Sequence, residues 1–268
     1  MKGILSSKRL IGNRIIFSVL CICILFIGSG CDGTNYKKAI KLYENGSWDE
    51  AATIFEQLGD YEDSMAMVDA CNYSKASEFY ENGDYNEAIK IFSNLSGYSD
   101  STEMIAKCKW SLFVDYIQKN KKLEYNADSN YTVTIEADGN NIVACYSVNP
   151  VKNSAGSISL QYTATFSFGE SIAHLNASGE LTILGAQLKD TGSGEWDINN
   201  YKTGDEIEWT TYELNGIKVD GSKLDDSATG MCATSIDTAL ERLTGGIENL
   251  LNNSNMDFTM ADLGFINY

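Results

Sequence analysis

The chain has 268 residues, with 20 Lys and Arg against 37 Asp and Glu and a formal net charge of −17. So acidic a surface repels phosphate backbones and anionic headgroups, which argues against nucleic acid and acidic lipid as partners. A single histidine and the lack of any Cys-x-x-Cys pair leave little material for nucleophile–His catalysis or a thiolate metal site.

The N-terminus opens with Lys2, Lys8, Arg9 and Arg14, then the 13-residue apolar run Ile15–Ile27, then Gly28-Ser29-Gly30-Cys31. The run is too short to span a bilayer comfortably. A basic start, a short apolar core and small residues before a cysteine resemble a bacterial lipoprotein signal, with Gly28 departing from the Leu-like residue usual there. The resemblance implies that residues 1–30 are removed and that Cys31 carries a thioether-linked diacylglycerol. The mature chain would be extracytoplasmic and membrane-anchored through that lipid, with Asp32–Asn35 as a short linker. The plain alternative is an ordinary secretory signal. Removal of the four basic residues would leave the remainder more acidic still.

Tyr36–Trp110 contains one pattern twice. Tyr43, Gly46, Ala51, Phe55, Leu58, Tyr61, Asp63, Ser64 and Cys71 recur 37 positions later, from Tyr80 to Cys108. Within each copy Ala51, Phe55 and Leu58, or Ala88, Phe92 and Leu95, keep helical spacing. Ser47 with Glu50, and Asp84 with Glu87, read as capping boxes. Gly46 and Gly83 stand where a preceding helix needs a left-handed terminator. The motif Tyr-x-x-Gly-x-aromatic-x-Glu-Ala-x-x-x-Phe, at Tyr43–Phe55 and Tyr80–Phe92, resembles tetratricopeptide-like helical repeats. Two features depart from that pattern: the period is not the usual ~34 residues, and Tyr61-Glu62-Asp63-Ser64 and Tyr98-Ser99-Asp100-Ser101 replace the closing proline. Glu62–Asn82 reads as one long helix. Ser99–Lys122 reads as a third, capping the repeats by burying Trp110 and Phe113 against the second copy and offering a dock for the next domain. Cys71 and Cys108 share a repeat position, which suits small buried packing residues.

From Tyr125 the period becomes two. Tyr131–Ala137 and Ile142–Val148 form a hairpin about Asp138–Asn141, with the lone Pro150 in a following loop. Ile158–Phe168 alternates with Ser, Gln and Thr outward. Ser171–Ala177 and Glu180–Leu184 read as two strands and Asp190–Gly194 as a loop, with further strands near Glu195–Asn199, Glu206–Tyr212 and Gly216–Val219. Ser227–Asn252 is helical, and Gly245-Gly246 bends it or lets it lie close to the sheet. Thr259–Asp262 caps a last turn, returning Phe265 and Ile266 to the core. The fold class is therefore α+β, with N-terminal α-hairpin repeats, then a mainly antiparallel β-sheet domain with a C-terminal helix. The expected divisions are 1–30, 31–122 and 123–268.

No catalytic residue, metal site or cofactor is expected. His174 reads as a plain strand residue. Asp190–Asp197 offers carboxylates to Ca²⁺ without the full EF-hand pattern. Trp196, Tyr201, Trp209 and Tyr212 cluster in sequence and serve either as a stacking platform for sugars or a protein partner, or as core packing. Lys41 and Glu78 are the candidate contact residues of the repeats. The expected role is a lipid-anchored interaction module that binds an envelope protein. The alternative is a glycan- or solute-binding lipoprotein that uses the sheet aromatics.

Overall fold

The computed structural model describes residues 31–95, 97–120, 123–128, 130–153, 156–198, 207–219 and 231–265. The basic start, the Ile15–Ile27 run, Tyr201 and Ile266 lie outside them. No described helix is long and apolar enough to cross a membrane. The chain is α+β, and it divides into two compact units, one ending at Glu78 and one starting at Phe79.

The first unit contains helices α1 (Cys31–Glu44) and α2 (Trp48–Leu58) and most of α3 (Ser64–Glu81). The helix begins at Cys31 itself, so Asp32–Asn35 is its first turn rather than a linker. Ala39, Ala51 and Ala76 are fully buried, which lets backbones approach closely, and Phe55 fills the remaining space edge-on to Tyr36. Gly46 ends α1 at φ +78°, the left-handed terminator its position demands. The expected capping boxes do not close: Ser47 sits at φ −86°, ψ 62° and Asp84 at φ −83°, ψ 55°, away from the extended backbone that aims a cap side chain at the first-turn amides.

The two tetrapeptides that replace proline have one geometry. Glu62 and Ser99 both take a left-handed φ, of 50° and 51°. The buried Ser64 and Ser101 hydroxyls then donate back to the Tyr61 and Tyr98 carbonyls. A left-handed residue followed by a serine lock ends one helix and starts the next without proline.

The second unit carries α4 (Tyr85–Asn94), α5 (Ser101–Asn120), eight strands, α6 (Met231–Thr234), α7 (Ile236–Asn253) and a 3-10 turn at Ala261–Leu263. The strands are β1 (Leu123–Asp128), β2 (Tyr131–Asp138), β3 (Asn141–Asn153), β4 (Gly156–Phe166), β5 (Ile172–Ile183), β6 (Ala186–Asp197), β7 (Ile207–Leu214) and β8 (Ile217–Val219). They form one antiparallel meander in chain order. Alternation decides the faces: Val133, Ile135, Ala144, Tyr146, Tyr162, Ala164, Phe166, Leu175 and Trp196 point to one side. The helices cover that side, α7 over β1–β3, α6 over β5 and β6, and α5 against β2 and the 3-10 turn.

Several expectations change here. Ser171–Ala177 and Glu180–Leu184 are one continuous strand, β5. Pro150 lies within β3, at the irregularity between Val148 and Val151 where the ladder skips a bond proline cannot make. Asp190–Gly194 is the middle of β6, not a loop. Its glycines face inward under the β7 aromatics: a Cβ on Gly192 would stand 2.3 Å from the Trp209 ring and 3.0 Å from Tyr212. The Asp/Gly/Ser composition that reads as a turn is here the space two rings require. The late helix is two pieces, with the break at Ser235.

Trp110, Phe113, Val114 and Ile117 belong to the same core as the inner sheet face. Trp110 Nε1 donates to the Asn140 carbonyl at 2.8 Å, and its ring meets Phe168. The partners of Trp110 are thus the sheet rather than the second repeat, because the indole reaches the β2–β3 turn. Lys109 pairs with Asp262 at 2.6 Å. Burial disfavours the Asp262 carboxylate, but hydrogen bonds from Lys109 and Thr259 outweigh it and hold the carboxyl below its usual range.

Two adjacent glycines of α7 behave oppositely. A Cβ on Gly246 would lie 2.6 Å from Val133 Cγ1, whereas one on Gly245 meets nothing within 4 Å. Gly246→Ala is expected to push α7 off β2 and cost about 1–3 kcal/mol, the usual toll of overpacking. Gly245→Ala is expected to stabilise by up to about 1 kcal/mol through helix propensity. Urea midpoints of the two variants check the opposite signs; equal shifts would contradict the close approach.

Candidate binding surface

Among the described residues α5, α6 and α7 pack on one side of the sheet, and the side chains that alternate with the core point out through the other. Strand register lines them up across the sheet. Thr134, Cys145, Thr163, Asn176, Ser193 and Thr211 form one rung across six strands. Thr132, Ser147, Gln161, Ser178, Thr191 and Glu213 form the next. Glu136, Val143, Thr165, His174, Glu195 and Glu208 form a third, more acidic one. Hydroxyls and amides dominate the first two rungs. Ser193 shares hydrogen bonds with Thr210 and Thr211, and Gln161 donates to the Cys145 sulfur.

A concavity of about 370 Å³ lies in this face. Ser147, Gln161, Ser178 and Thr191 form one wall, and Ser159, Glu180 and Lys189 the other. Between them run Val148, Leu160, Gly179 and Asp190, and the Val148, Leu160 and Asp190 side chains belong to the core side.

Beneath that floor is a polar network. The buried Asp190 carboxylate accepts from the Tyr212 hydroxyl at 2.5 Å and from the Cys232 amide at 2.8 Å. Tyr162 donates to the Cys232 carbonyl. Burial raises the Tyr162 and Cys232 pKa values, so both stay protonated. The network fastens α6 to the sheet and presents nothing to solvent. Gly179 leaves room for it, since a Cβ there would stand 2.4 Å from Asp190 Oδ1.

The candidates from sequence are scattered by this arrangement. Trp196, Trp209 and Tyr212 do come together, through β6–β7 pairing, but on the core side. Trp196 is 0% exposed and edge-on to Phe166, and Tyr212 is 3% exposed; neither can stack on a ligand from solvent. Trp209 is half-buried against Tyr212. The aromatic platform is therefore corrected to core-side packing, with Trp196 and Tyr212 buried and Gly192 of β6 making room for the Trp209 and Tyr212 rings. Lys41 is exposed on α1, and the exposed Glu78 accepts a hydrogen bond from Trp48 Nε1.

Asp190 faces inward while Glu195 lies on the outer face, so the stretch does not converge as a cation cage. Among the described residues no group of three His, Cys, Asp or Glu side chains could hold a metal. Cys145 and Cys232 sit on opposite faces and are free thiols, as are Cys71 and Cys108. Burial pushes Cys71 up to about 12 and Cys108 to about 11, which makes both inert packing groups. His174 is exposed on the third rung, opposite Thr165 and Glu195.

Sequence reasoning noted the outward Ser, Gln and Thr of β4 but missed the surface they belong to. The available signal was alternation in each strand; what joins the strands is register. No family model, curated protein or solved structure matches the chain.

Proposed function

We propose that this chain is a lipid-anchored extracytoplasmic binding module without catalysis. Cys31 carries the lipid, tetratricopeptide-like hairpins follow it, and the open face of the sheet receives the ligand. One observation carries the choice of face: among the described residues the eight-stranded sheet is covered on one side only, and its other side lines up hydroxyls and amides across six strands. An antiparallel sheet tolerates water on one face, but an ordered polar array held on a rigid sheet is also pre-organised for recognition.

Two measurements test the reading. Cys31→Ala should move the protein from the membrane to the soluble fraction, and intact mass of the wild type should show an acylated N-terminus. An unmodified N-terminus would end the anchor reading. The released chain should then bind isolated cell envelopes saturably and lose that binding on Asn176→Arg, which places bulk and charge in the middle rung without touching the core. If Asn176→Arg binds normally while Lys41→Glu does not, the hairpins carry recognition. If the chain shows no saturable binding, the binding-module reading fails.

A further inference from the structure

Resting on the open face as ligand surface, we infer that the concavity between its two polar walls is a site for a neutral glycan chain. The geometry is a groove that crosses strands rather than following one. Its walls are alternate residues of the same strands, about 7 Å apart, and it crosses β3 to β6, three strand spacings or about 14 Å. That is room for a short oligosaccharide lying flat, within the ordinary volume of a ligand site.

The chemistry selects the occupant. Ser147, Ser178 and Thr191 hydroxyls and the Gln161 carboxamide can each donate and accept, which is what a polyol requires of its host. Ser178 and Thr191 are exposed and Ser159 half-buried, so they meet whatever lies in the groove. The opposite wall adds one carboxylate and one ammonium, and these pair with each other: Lys189 Nζ lies 3.4 Å from Glu180 Oε2. In a chain of net charge −17, the two walls together are formally neutral, and the Asp190 carboxylate of the floor is turned to the core. A cation would be drawn more strongly to the third rung, with Glu136, Glu195 and Glu208, and an anion meets a lysine already neutralised. An extended peptide would want apolar pockets for alternate side chains, and the apolar residues of the floor turn theirs to the core. A neutral polyhydroxylated chain matches every group in the walls.

Without an aromatic to stack on, binding should be weak and almost independent of salt, since no net charge is exchanged. The test is titration of the full chain in detergent with cellotetraose, chitotetraose and maltotetraose, and with tetragalacturonate as the anionic counterpart, followed by calorimetry. At least one neutral tetrasaccharide should bind with a dissociation constant of about 1 mM or tighter. Gln161→Leu and Thr191→Val should each weaken it about tenfold, while Lys90→Ala on α4 should not change it. No binding of any neutral tetrasaccharide, stronger binding of tetragalacturonate, or indifference to both groove substitutions overturns the inference. Should envelope binding still vanish on Asn176→Arg in that case, the open face remains the ligand surface and only the glycan assignment falls. Loss of both readouts removes both.

Discussion

Trp110→Ala is expected to lower the stability of the second unit by about 3–5 kcal/mol, the cost of emptying a buried large aromatic site. The ring is 1% exposed and lies in the core shared by α5 and the sheet. Its loss also removes the hydrogen bond that ties α5 to the Asn140 carbonyl at the β2–β3 turn. The site already borders a concavity of about 160 Å³ lined by Phe166, Ile198, Leu263 and Phe265, so truncation enlarges a void rather than closing a tight one. Urea unfolding followed by far-UV dichroism should show helix and sheet signals of this unit falling together at a lower midpoint. Trp110→Phe, which keeps most of the volume and drops the hydrogen bond, should cost far less. Loss of helix signal with the sheet untouched would return Trp110 to the role of a repeat cap and contradict a shared core.

The second large effect is expected at Asp190. Asp190→Ala deprives the Tyr212 hydroxyl and the Cys232 amide of their buried acceptor, and each orphaned donor costs about 1–3 kcal/mol. Asp190 points from β6 to the core side, where Cys232 lies in the first turn of α6, so the damage should appear first as release of α6 from the sheet. Cys232 is fully buried, and its thiol should react with a thiol reagent much faster in the variant than in the wild type. Asp190→Asn keeps the volume and one acceptor and should be milder. Tyr212→Phe combined with Asp190→Ala should cost less than the two single changes together, because one orphan disappears. Strict additivity, or no change in Cys232 reactivity, would mean that the carboxylate does not hold α6.

Some features follow from local chemistry and are legible without a structure. Helical spacing and the left-handed Gly46 and Gly83 specify each hairpin through neighbours about a turn apart, and the 37-residue repeat shows that the same hairpin is used twice. The switch to period two near Tyr125 specifies a sheet, and Gly245-Gly246 marks a close approach that proves to be to Val133. Other features depend on residues far apart in the chain. Asp190–Gly194 has turn composition yet is a strand, because Trp209 and Tyr212, brought alongside by β7, fill the space the glycines leave. Trp196 and Tyr212 read from sequence as core packing or as a surface platform, and their burial in the folded chain decides for the core. The caps at Ser47 and Asp84 fail because the backbone before each helix comes from a tight glycine turn. By itself, the sequence determined the order of the helical and β regions and the inward and outward residues of the clearly alternating strands, but not every strand's bounds. Tertiary structure alone decided which face is covered, which strands stand side by side and hence which hydroxyls share a groove, since pairing register and helix placement are set by contacts between residues too distant for local periodicity to encode.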